Sequence, residues 1–353
     1  MNLYAKYVGW NYFKSFLIIF FSLVLFYTGI DILTNLKDMP SSANLKLLYF
    51  TLTSMAAIGY VLPLSLIFAL IITKFNMIRS NELVSFYALG VSKNALIKPP
   101  FFISIFITLI YIGLNFTPFA YSYEFQRNLI KTSQISGISS DIFLKFGGKF
   151  VYIDELNPVS ANIRDVRIFD VMDGKLLSAT FSSEAKFNEN KWTLKDANVT
   201  TMPKVIELGK DGLDIKHHEN LIALDGFKPK TIESAYQSNS SLSIPDAFDF
   251  ITAFEKEGVG LNSAKTTLYS LLFSPFFAPI TVLIIYYFLP VTGRFFNLAL
   301  TSFVFIIVTL CSWGTFFVLM KFAHNSIILP EIGVILPLFC LSGFALYLYF
   351  RNR

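Results

Sequence analysis

Six long apolar runs constrain the fold of this chain more than any other feature of its sequence. They cover residues 13–33, 47–73, 99–119, 268–290, 295–320 and 332–350. A helix needs about 20 apolar residues to cross the hydrocarbon core of a bilayer, which is about 30 Å thick. Only 15% of the 353 residues are charged, against about 25% in ordinary soluble domains. The runs therefore predict six membrane-spanning helices.

The first apolar run follows a weakly basic start, so a cleaved signal peptide is the alternative interpretation. The run is longer than the apolar part of a signal peptide, and no small-residue cleavage site follows it. We therefore expect this run to be retained as the first span.

The charged residues are unevenly divided between the apolar runs and the polar region that separates the third run from the fourth. Residues 121–265 hold 17 Lys and Arg against 20 Asp and Glu, whereas the rest of the chain holds 12 against 4. The basic excess thus belongs to the apolar part of the sequence. Nucleic-acid binding would need a basic polar domain, so the pattern indicates membrane topology and no nucleic-acid partner.

Basic residues near the ends of the runs predict which end of each span faces the cytoplasm, because cytoplasmic loops carry an excess of Lys and Arg. With the N-terminus inside, nine lie in short inside segments and three in short outside segments. The inside residues are Lys6, Lys14, Lys74, Arg79, Lys93, Lys98, Arg294, Arg351 and Arg353, and the outside residues are Lys37, Lys46 and Lys321. Both termini are therefore expected in the cytoplasm, and the polar region on the opposite side.

The polar region has the alternating pattern of β-strands. KFVYIDEL and NIRDVRIFDV alternate apolar and polar residues, and an Asp-Gly turn in MDGK leads into LLSATFSSEAKF. Two further strands are predicted in NENKWTLKDANVTTM, with Trp192 in the core, and in GLDIKHHENLIAL. Several short strands at roughly ten-residue spacing predict a sandwich or a jelly roll.

A short helix near residues 245–257 is expected to connect this region to the fourth span. Ser243 or Asp246 caps it, and Phe248, Ile251 and Phe254 share one face. The predicted fold class is an α-helical membrane protein with six transmembrane helices and an all-β, jelly-roll-like domain inserted between helices 3 and 4. The predicted domains are residues 1–120, 121–265 and 266–353.

A short amphipathic helix near residues 80–90 lies between the second and third spans, on the predicted cytoplasmic side. Ser80 or Asn81 is in position to cap it, and Glu82 lies in the first turn, where the helix dipole favours an anion. The residues of one face, at i, i+3, i+4 and i+7, are Leu83, Phe86, Tyr87 and Gly90. Two interpretations stay open. One is a helix that lies in the headgroups, and the other is a coupling helix that presents Glu82 and its apolar face to a cytoplasmic partner.

Several segments along the chain together resemble the lipopolysaccharide-transport permeases LptF and LptG. RSNELVSFYALGVS is similar to that family's segment between spans 2 and 3. The matches in order along the chain are MNLYAKYVGWNYFKSFL, TPFAYSYEFQRN, KWTLKDANV and LYSLLFSPFFAPITVLIIYYFLP. DILTNLKDMP, after the first span, favours the G member.

The resemblance implies a non-catalytic permease subunit of an ABC-type exporter in the bacterial inner membrane. Such a subunit pairs with its paralogue, as an LptF/LptG heterodimer, and with a dimer of the cytoplasmic ATPase LptB. The complex extracts lipopolysaccharide from the inner membrane and passes it to a periplasmic bridge toward the outer membrane. A single-span LptC-like subunit is a further implied partner, and the β-jellyroll domain is implied to be periplasmic.

The resemblance also implies roles for particular residues. Glu82 matches a glutamate of the coupling helix that docks on the ATPase. Lys37 matches one of the basic residues that meet the lipopolysaccharide phosphates at the outer end of span 1, and Lys46 is a second candidate. Asp31 and Asp38 stand where well-known members have lysines. Asp31 is expected either to lie near the wet interface or to pair with a residue such as Lys37.

We expect no catalytic, metal or cofactor site in this chain, and other functions stay open. The nucleotide-binding pattern G-x-x-x-x-G-K-[ST] is missing from the sequence, since GGKF at 147–150 fails it, so ATP is expected on a partner chain. His217 and His218 are adjacent on a predicted strand, where neighbouring side chains point to opposite faces. We therefore do not expect the two histidines to bind a metal together. The alternative functions are a mechanotransmitting ABC permease, which usually has four spans, and a membrane-anchored scaffold or assembly protein whose β domain binds partners.

Overall fold

The computed structural model describes residues 3–133, 137–203, 212–236, 241–255, 260–294 and 297–352. The chain folds into two compact units. One unit is helical and joins Met1–Tyr123 to Lys265–Arg353, and the other, Glu124–Ala264, contains the β-sheet.

The first part of the helical unit contains three long helices and one short helix. In chain order these are α1 (Leu3–Thr34), α2 (Ala43–Arg79), α3 (Glu82–Ala88) and α4 (Lys93–Leu114). The three long ones are apolar and long enough to cross a membrane. A 3₁₀ turn at Pro118–Tyr121 then leads into α5 (Ser122–Thr132).

The second unit is built on six strands that form one antiparallel sheet. The strands are β1 (Ser139–Phe146), β2 (Lys149–Asn157), β3 (Asn162–Met172), β4 (Lys175–Asn188), β5 (Lys191–Thr201) and β6 (Asp214–Ala223). Each strand pairs with the next one in sequence. Asp173 and Gly174, between β3 and β4, both have positive φ, as a type I′ hairpin turn requires. The predicted β domain between the helices is confirmed, as a single sheet with its strands in sequence order. β1 is a strand that the alternating pattern did not predict.

The core of the β unit centres on Trp192, as predicted. Its side chain is fully buried, and its indole N–H donates a hydrogen bond of 2.6 Å to the backbone carbonyl of Phe227. The ring of Phe227 stacks on that of Phe146 with the ring centres 4.0 Å apart. The indole thus buries its apolar surface and satisfies its one donor at the same time.

Two short helices follow the sheet, α6 (Pro229–Tyr236) and α7 (Ile244–Phe254). Ser243 and Asp246 cap α7 reciprocally in a capping box. The face predicted from Phe248, Ile251 and Phe254 is not the one that packs, because Phe248 is 60% exposed whereas Phe250 is buried. The apolar face follows positions 247, 250 and 254. The predicted end at 257 lies outside the described residues.

The chain re-enters the helical unit through a bent pair of helices. α8 (Asn262–Leu272) and α9 (Phe277–Phe288) are separated by a 3₁₀ turn at Ser274–Phe276, and the two parts are bent by 40°. Pro275 lies in this turn, where it has no backbone N–H to continue the helix. α10 (Leu298–His324) follows, and then a π-helical turn at Glu331–Ile335 that runs into α11 (Leu336–Arg351).

Within the described residues, five helical segments are long and apolar enough to cross a membrane, and the bent pair brings the number to six if it forms one span. The predicted architecture of apolar helices with an inserted β domain is therefore confirmed. α2 is the most buried of the five, and in α1 and α10 only 11% of the most apolar window is buried. α2 therefore forms the centre of the helical unit, while α1 and α10 present long apolar faces outward.

Candidate functional site

The short helix α3 between α2 and α4 is bounded by strong local signals at both ends. Asn81, at its N-cap, has a left-handed conformation with φ of 60°, and its side chain makes no capping hydrogen bond. Gly90 follows the C-terminus with φ of 80°. The amides of Gly90 and Val91 donate to the carbonyls of Tyr87 and Phe86, which is the Schellman pattern. The predicted helix end at Gly90 is therefore correct, and the predicted side-chain cap from Asn81 is not formed.

The apolar face of α3 packs into the helical unit. Leu83 is only 1% exposed, and Phe86 and Tyr87 pack against the same core cluster. The outward surface of α3 instead contains Val84, which is 45% exposed, together with Ser85 and Ala88. In the coupling-helix interpretation this apolar face was presented to a partner. The structure turns it toward the spans, where its burial stabilises the connection between α2 and α4.

Tyr87 begins a polar contact chain from α3 into two spans. Its hydroxyl lies 3.4 Å from that of Tyr286 on α9. Lys74 of α2 lies over the Tyr286 ring, with its Nζ 4.2 Å from the ring centre. The same Nζ donates to the backbone carbonyls of Tyr286 at 2.6 Å and Leu289 at 2.9 Å. A cation at the C-terminus of a helix is favoured by the helix dipole.

The sequence after α9 explains why Lys74 is needed there. Residue 290 is proline, so it has no N–H to donate to the carbonyl of Tyr286 four residues earlier. Lys74 is 4% exposed, and it supplies the donor that the proline lacks. A buried cation is stable only when it is hydrogen-bonded, so α2 and α9 are held together at this point.

A second polar contact joins α9 to two more elements, α4 and α11, at the same end of the spans. Asn94, in the first turn of α4, accepts a hydrogen bond of 2.6 Å from the Tyr287 hydroxyl of α9. Its amide donates to the backbone carbonyl of Tyr349 on α11 at 3.1 Å. With the Lys74 contacts, this places a layer of buried hydrogen bonds directly behind α3.

Glu82 lies at the mouth of an apolar groove beside α3. The groove has a volume of about 1480 Å³ and is lined by the first part of α1, by Glu82 and Phe86 of α3, and by α4 from Lys98 to Ile110. Glu82 is partly buried and forms no ion pair with any residue that the structure describes. Its carboxylate is therefore available to a group from outside the chain.

A known family model matches almost the whole chain. The lipopolysaccharide export system permease LptF/LptG matches residues 6–351. The chain belongs to the LptF/LptG permease family. No curated protein matches the chain with significant similarity. The family match supports a lipopolysaccharide export role in the inner membrane, with a non-catalytic permease subunit, and it does not distinguish LptF from LptG.

In this LptF/LptG-family permease the two lysines predicted to meet lipid phosphate lie at the opposite ends of α1 and α2 from α3. Lys37, in the turn after α1, and Lys46, in the first turn of α2, are both exposed. Neither forms an ion pair with a described residue. The nearby Asp31 accepts a hydrogen bond from the hydroxyl of Tyr49 on α2. Of the two alternatives given for Asp31, the pair with Lys37 is not formed.

The β unit holds a buried ionic network that the sequence did not reveal. Lys230 of α6 donates to Glu124 of α5 and to Glu233, each at 2.7 Å. Glu124 also accepts from the backbone N–H of Ser241 at 2.6 Å. Burial raises the pKa of Glu233, and Lys230 partly opposes that rise. The network ties α5, α6 and the segment before α7 together.

No group of three or more His, Cys, Asp or Glu in the described part of the chain is placed to hold a metal ion. His217 lies on the edge strand β6, where its Nδ1 is 2.9 Å from the side-chain oxygen of Asn198. The structure thus gives His217 a local hydrogen-bonding role in the sheet.

Proposed function

We propose that this chain is the transmembrane permease subunit of an ABC-type lipopolysaccharide exporter. It extracts lipopolysaccharide from the inner membrane and passes it to a periplasmic bridge toward the outer membrane. ATP is hydrolysed by a separate cytoplasmic ATPase dimer of the LptB type. The chain pairs with its paralogue, in the G position of an LptF/LptG heterodimer, and with a single-span LptC-like subunit.

The observation that carries this proposal is the way α3 is built into the spans. Its inner face is fixed by the buried Leu83 and by the Tyr87–Tyr286 contact, while Glu82 has no ion pair among the described residues. A force applied to the outer side of α3 is therefore transmitted to α2 and α9 rather than absorbed by a loose loop. Glu82, Leu83, Phe86, Tyr87 and Gly90 keep their proposed role in coupling, with Glu82 at the ATPase and the others holding the helix in place.

The proposed orientation places α3 and both termini in the cytoplasm and the β unit in the periplasm. The excess of Lys and Arg at the α3 end of the spans supports it. A test is thiol labelling from outside intact spheroplasts, with Cys311 and Cys340 replaced by Ser. A cysteine at exposed Ser183 of β4 should react with an impermeant reagent, and one at exposed Ser85 of α3 should react only after permeabilisation. The reverse pattern would exclude the orientation.

Lys37 and Lys46 are proposed to contact the phosphates of lipopolysaccharide. Both are exposed, and a lysine acts as a point charge toward phosphate without fixed geometry. Both lie at the ends of α1 and α2 that are far from α3. This position supports contact at the periplasmic surface of the inner membrane, where the phosphates of the lipid would lie.

The experiment that tests the coupling role replaces Glu82 by Ala and by Arg. ATPase co-purification and ATP-driven lipopolysaccharide release from proteoliposomes should both fall, most strongly for Glu82→Arg, because the reversed charge repels the partner's basic groups. Ser85→Ala is the matched control, since Ser85 is uncharged and exposed on the same helix, and its hydroxyl donates to the backbone carbonyl of Asn81 one turn earlier. Normal release with both Glu82 variants would exclude this role for α3.

A further inference from the structure

The groove beside α3 has the length of one membrane leaflet. Its lining runs from Leu3 to Phe13 on α1 and from Lys98 to Ile110 on α4. At 1.5 Å per residue these stretches are about 15 and 18 Å long. Half of a hydrocarbon core of about 30 Å is about 15 Å. The groove is therefore about as long as half of the hydrocarbon core is thick.

The walls of the groove are apolar and open to the surroundings of the helices. Trp10, Phe102 and Phe106 line it and are 55%, 63% and 64% exposed. On two membrane-spanning helices such a surface faces hydrocarbon, and water is not a favourable occupant of an apolar groove. The medium that fills it at this depth is the acyl chain of a lipid.

Two cations mark the end of the groove next to α3. Lys6 and Lys98 both line it and are both exposed. Neither forms an ion pair with a described residue, and the one acid in the lining is Glu82. The charged side chains among the described lining residues thus sum to one positive charge. The anion that lies at the boundary of the hydrocarbon is the phosphate of a lipid headgroup.

We propose that this groove binds an anionic phospholipid of the leaflet that meets the α3 end of the spans. One acyl chain lies against Trp10, Phe102 and Phe106, and the headgroup phosphate lies between Lys6 and Lys98. Because Glu82 and Phe86 line the same groove, the bound lipid touches α3. The site goes beyond the export function proposed above, since it uses neither lipopolysaccharide nor ATP, and it makes the position of α3 sensitive to the charge of the surrounding lipid.

The test uses Trp10 as a probe in the full-length chain. The chain has three tryptophans, and Trp192 is fully buried in the β unit. The variant Trp313→Phe leaves Trp10 as the one tryptophan in the spans. The protein is placed in nanodiscs that contain brominated phosphatidylglycerol or brominated phosphatidylcholine. Each lysine near an anionic lipid contributes about a fivefold preference, equivalent to about 1 kcal/mol, so phosphatidylglycerol should quench Trp10 at a markedly lower mole fraction.

The variants then assign the preference to the groove. Lys6→Gln with Lys98→Gln should remove the preference for phosphatidylglycerol. Arg79→Gln with Lys93→Gln is the matched control, because both residues are exposed at the same end of the spans and neither lines the groove. In native mass spectrometry, the assembled complex should retain phosphatidylglycerol only when Lys6 and Lys98 are present. Equal quenching by the two lipids, quenching by neither, or an unchanged preference in the groove variant would each overturn the proposal.

Discussion

Replacement of Lys74 by Met tests whether the buried hydrogen bonds behind α3 hold the spans together. The change keeps the length and most of the volume of the side chain. It leaves the carbonyls of Tyr286 and Leu289, now 2.6 and 2.9 Å from Nζ, without this donor. The methionine also cannot make the cation–π contact with Tyr286 that the lysine makes.

The stability lost in Lys74→Met is the sum of opposing contributions. Each buried acceptor left unsatisfied costs about 1–3 kcal/mol, and a desolvated cation–π contact contributes about 2 kcal/mol. The gross loss is therefore about 6 kcal/mol. Removing the cation relieves a desolvation penalty of several kcal/mol, so the net destabilisation is about 2–3 kcal/mol. For a helical unit of this size, that lowers Tm by roughly 5–10 °C.

The assay is thermal unfolding of the detergent-solubilised protein, followed by the fluorescence of Trp313 in the helical unit, in a background with Trp10→Phe and Trp192→Phe. Lys321→Met is the control, because Lys321 also lies over an aromatic ring, 5.5 Å from the centre of Phe317, but is exposed. Its loss should change stability by at most about 1 kcal/mol. A Tm for Lys74→Met equal to that of the Lys321 variant would refute the argument that this buried cation joins α2 to α9.

Two further predictions concern other parts of the fold. Gly333→Ala should destabilise the contact between α10 and the π-helical turn by about 1–3 kcal/mol, because its Cβ would lie 2.5 Å from that of Ala323; Gly343→Ala, with open space around it, should be neutral in the same thermal assay. Glu233 has a raised pKa, so its contribution to the stability of the β unit is present below the ordinary value of 4.5 and is lost as pH rises through the raised pKa. Glu233→Gln should flatten that decline when unfolding is followed by the fluorescence of Trp192 at a series of pH values. An unchanged dependence of stability on pH in the Glu233 variant would show that burial of Glu233 does not control the decline. Glu184, whose pKa is lowered by its hydrogen bond with Lys195, should instead contribute stability that is lost as pH falls.

The spans and α3 could be predicted from the sequence because their signals are local. An apolar run of about 20 residues needs no distant partner to be recognised, and Gly90 ends α3 through a backbone conformation that glycine adopts easily. β1 escaped prediction because SSDIFLKF opens with three polar residues and has only a short alternating part. The buried face of α7 was predicted wrongly, since both Phe248 and Phe250 are aromatic and only packing decides which one is buried.

The polar contacts could not be predicted because their partners are far apart in sequence. Lys74 binds carbonyls more than 200 residues away, and Lys230 meets Glu124 across 106 positions. A backbone carbonyl as partner leaves little trace in the side-chain sequence. The one local hint was Pro290, which removes the N–H that would otherwise satisfy Tyr286.

The structure therefore separates the charged groups near α3 into two kinds with different consequences. Lys74 is buried and committed to two carbonyls and a ring within the chain, so it can hold elements together but cannot recognise anything outside. Glu82, Lys6 and Lys98 line the adjacent groove and have no ion pair among the described residues. A permease that another subunit drives, as proposed above, needs both kinds side by side. Under that proposal external groups bind at the second set, and the first set passes the resulting displacement of α3 to α2 and α9.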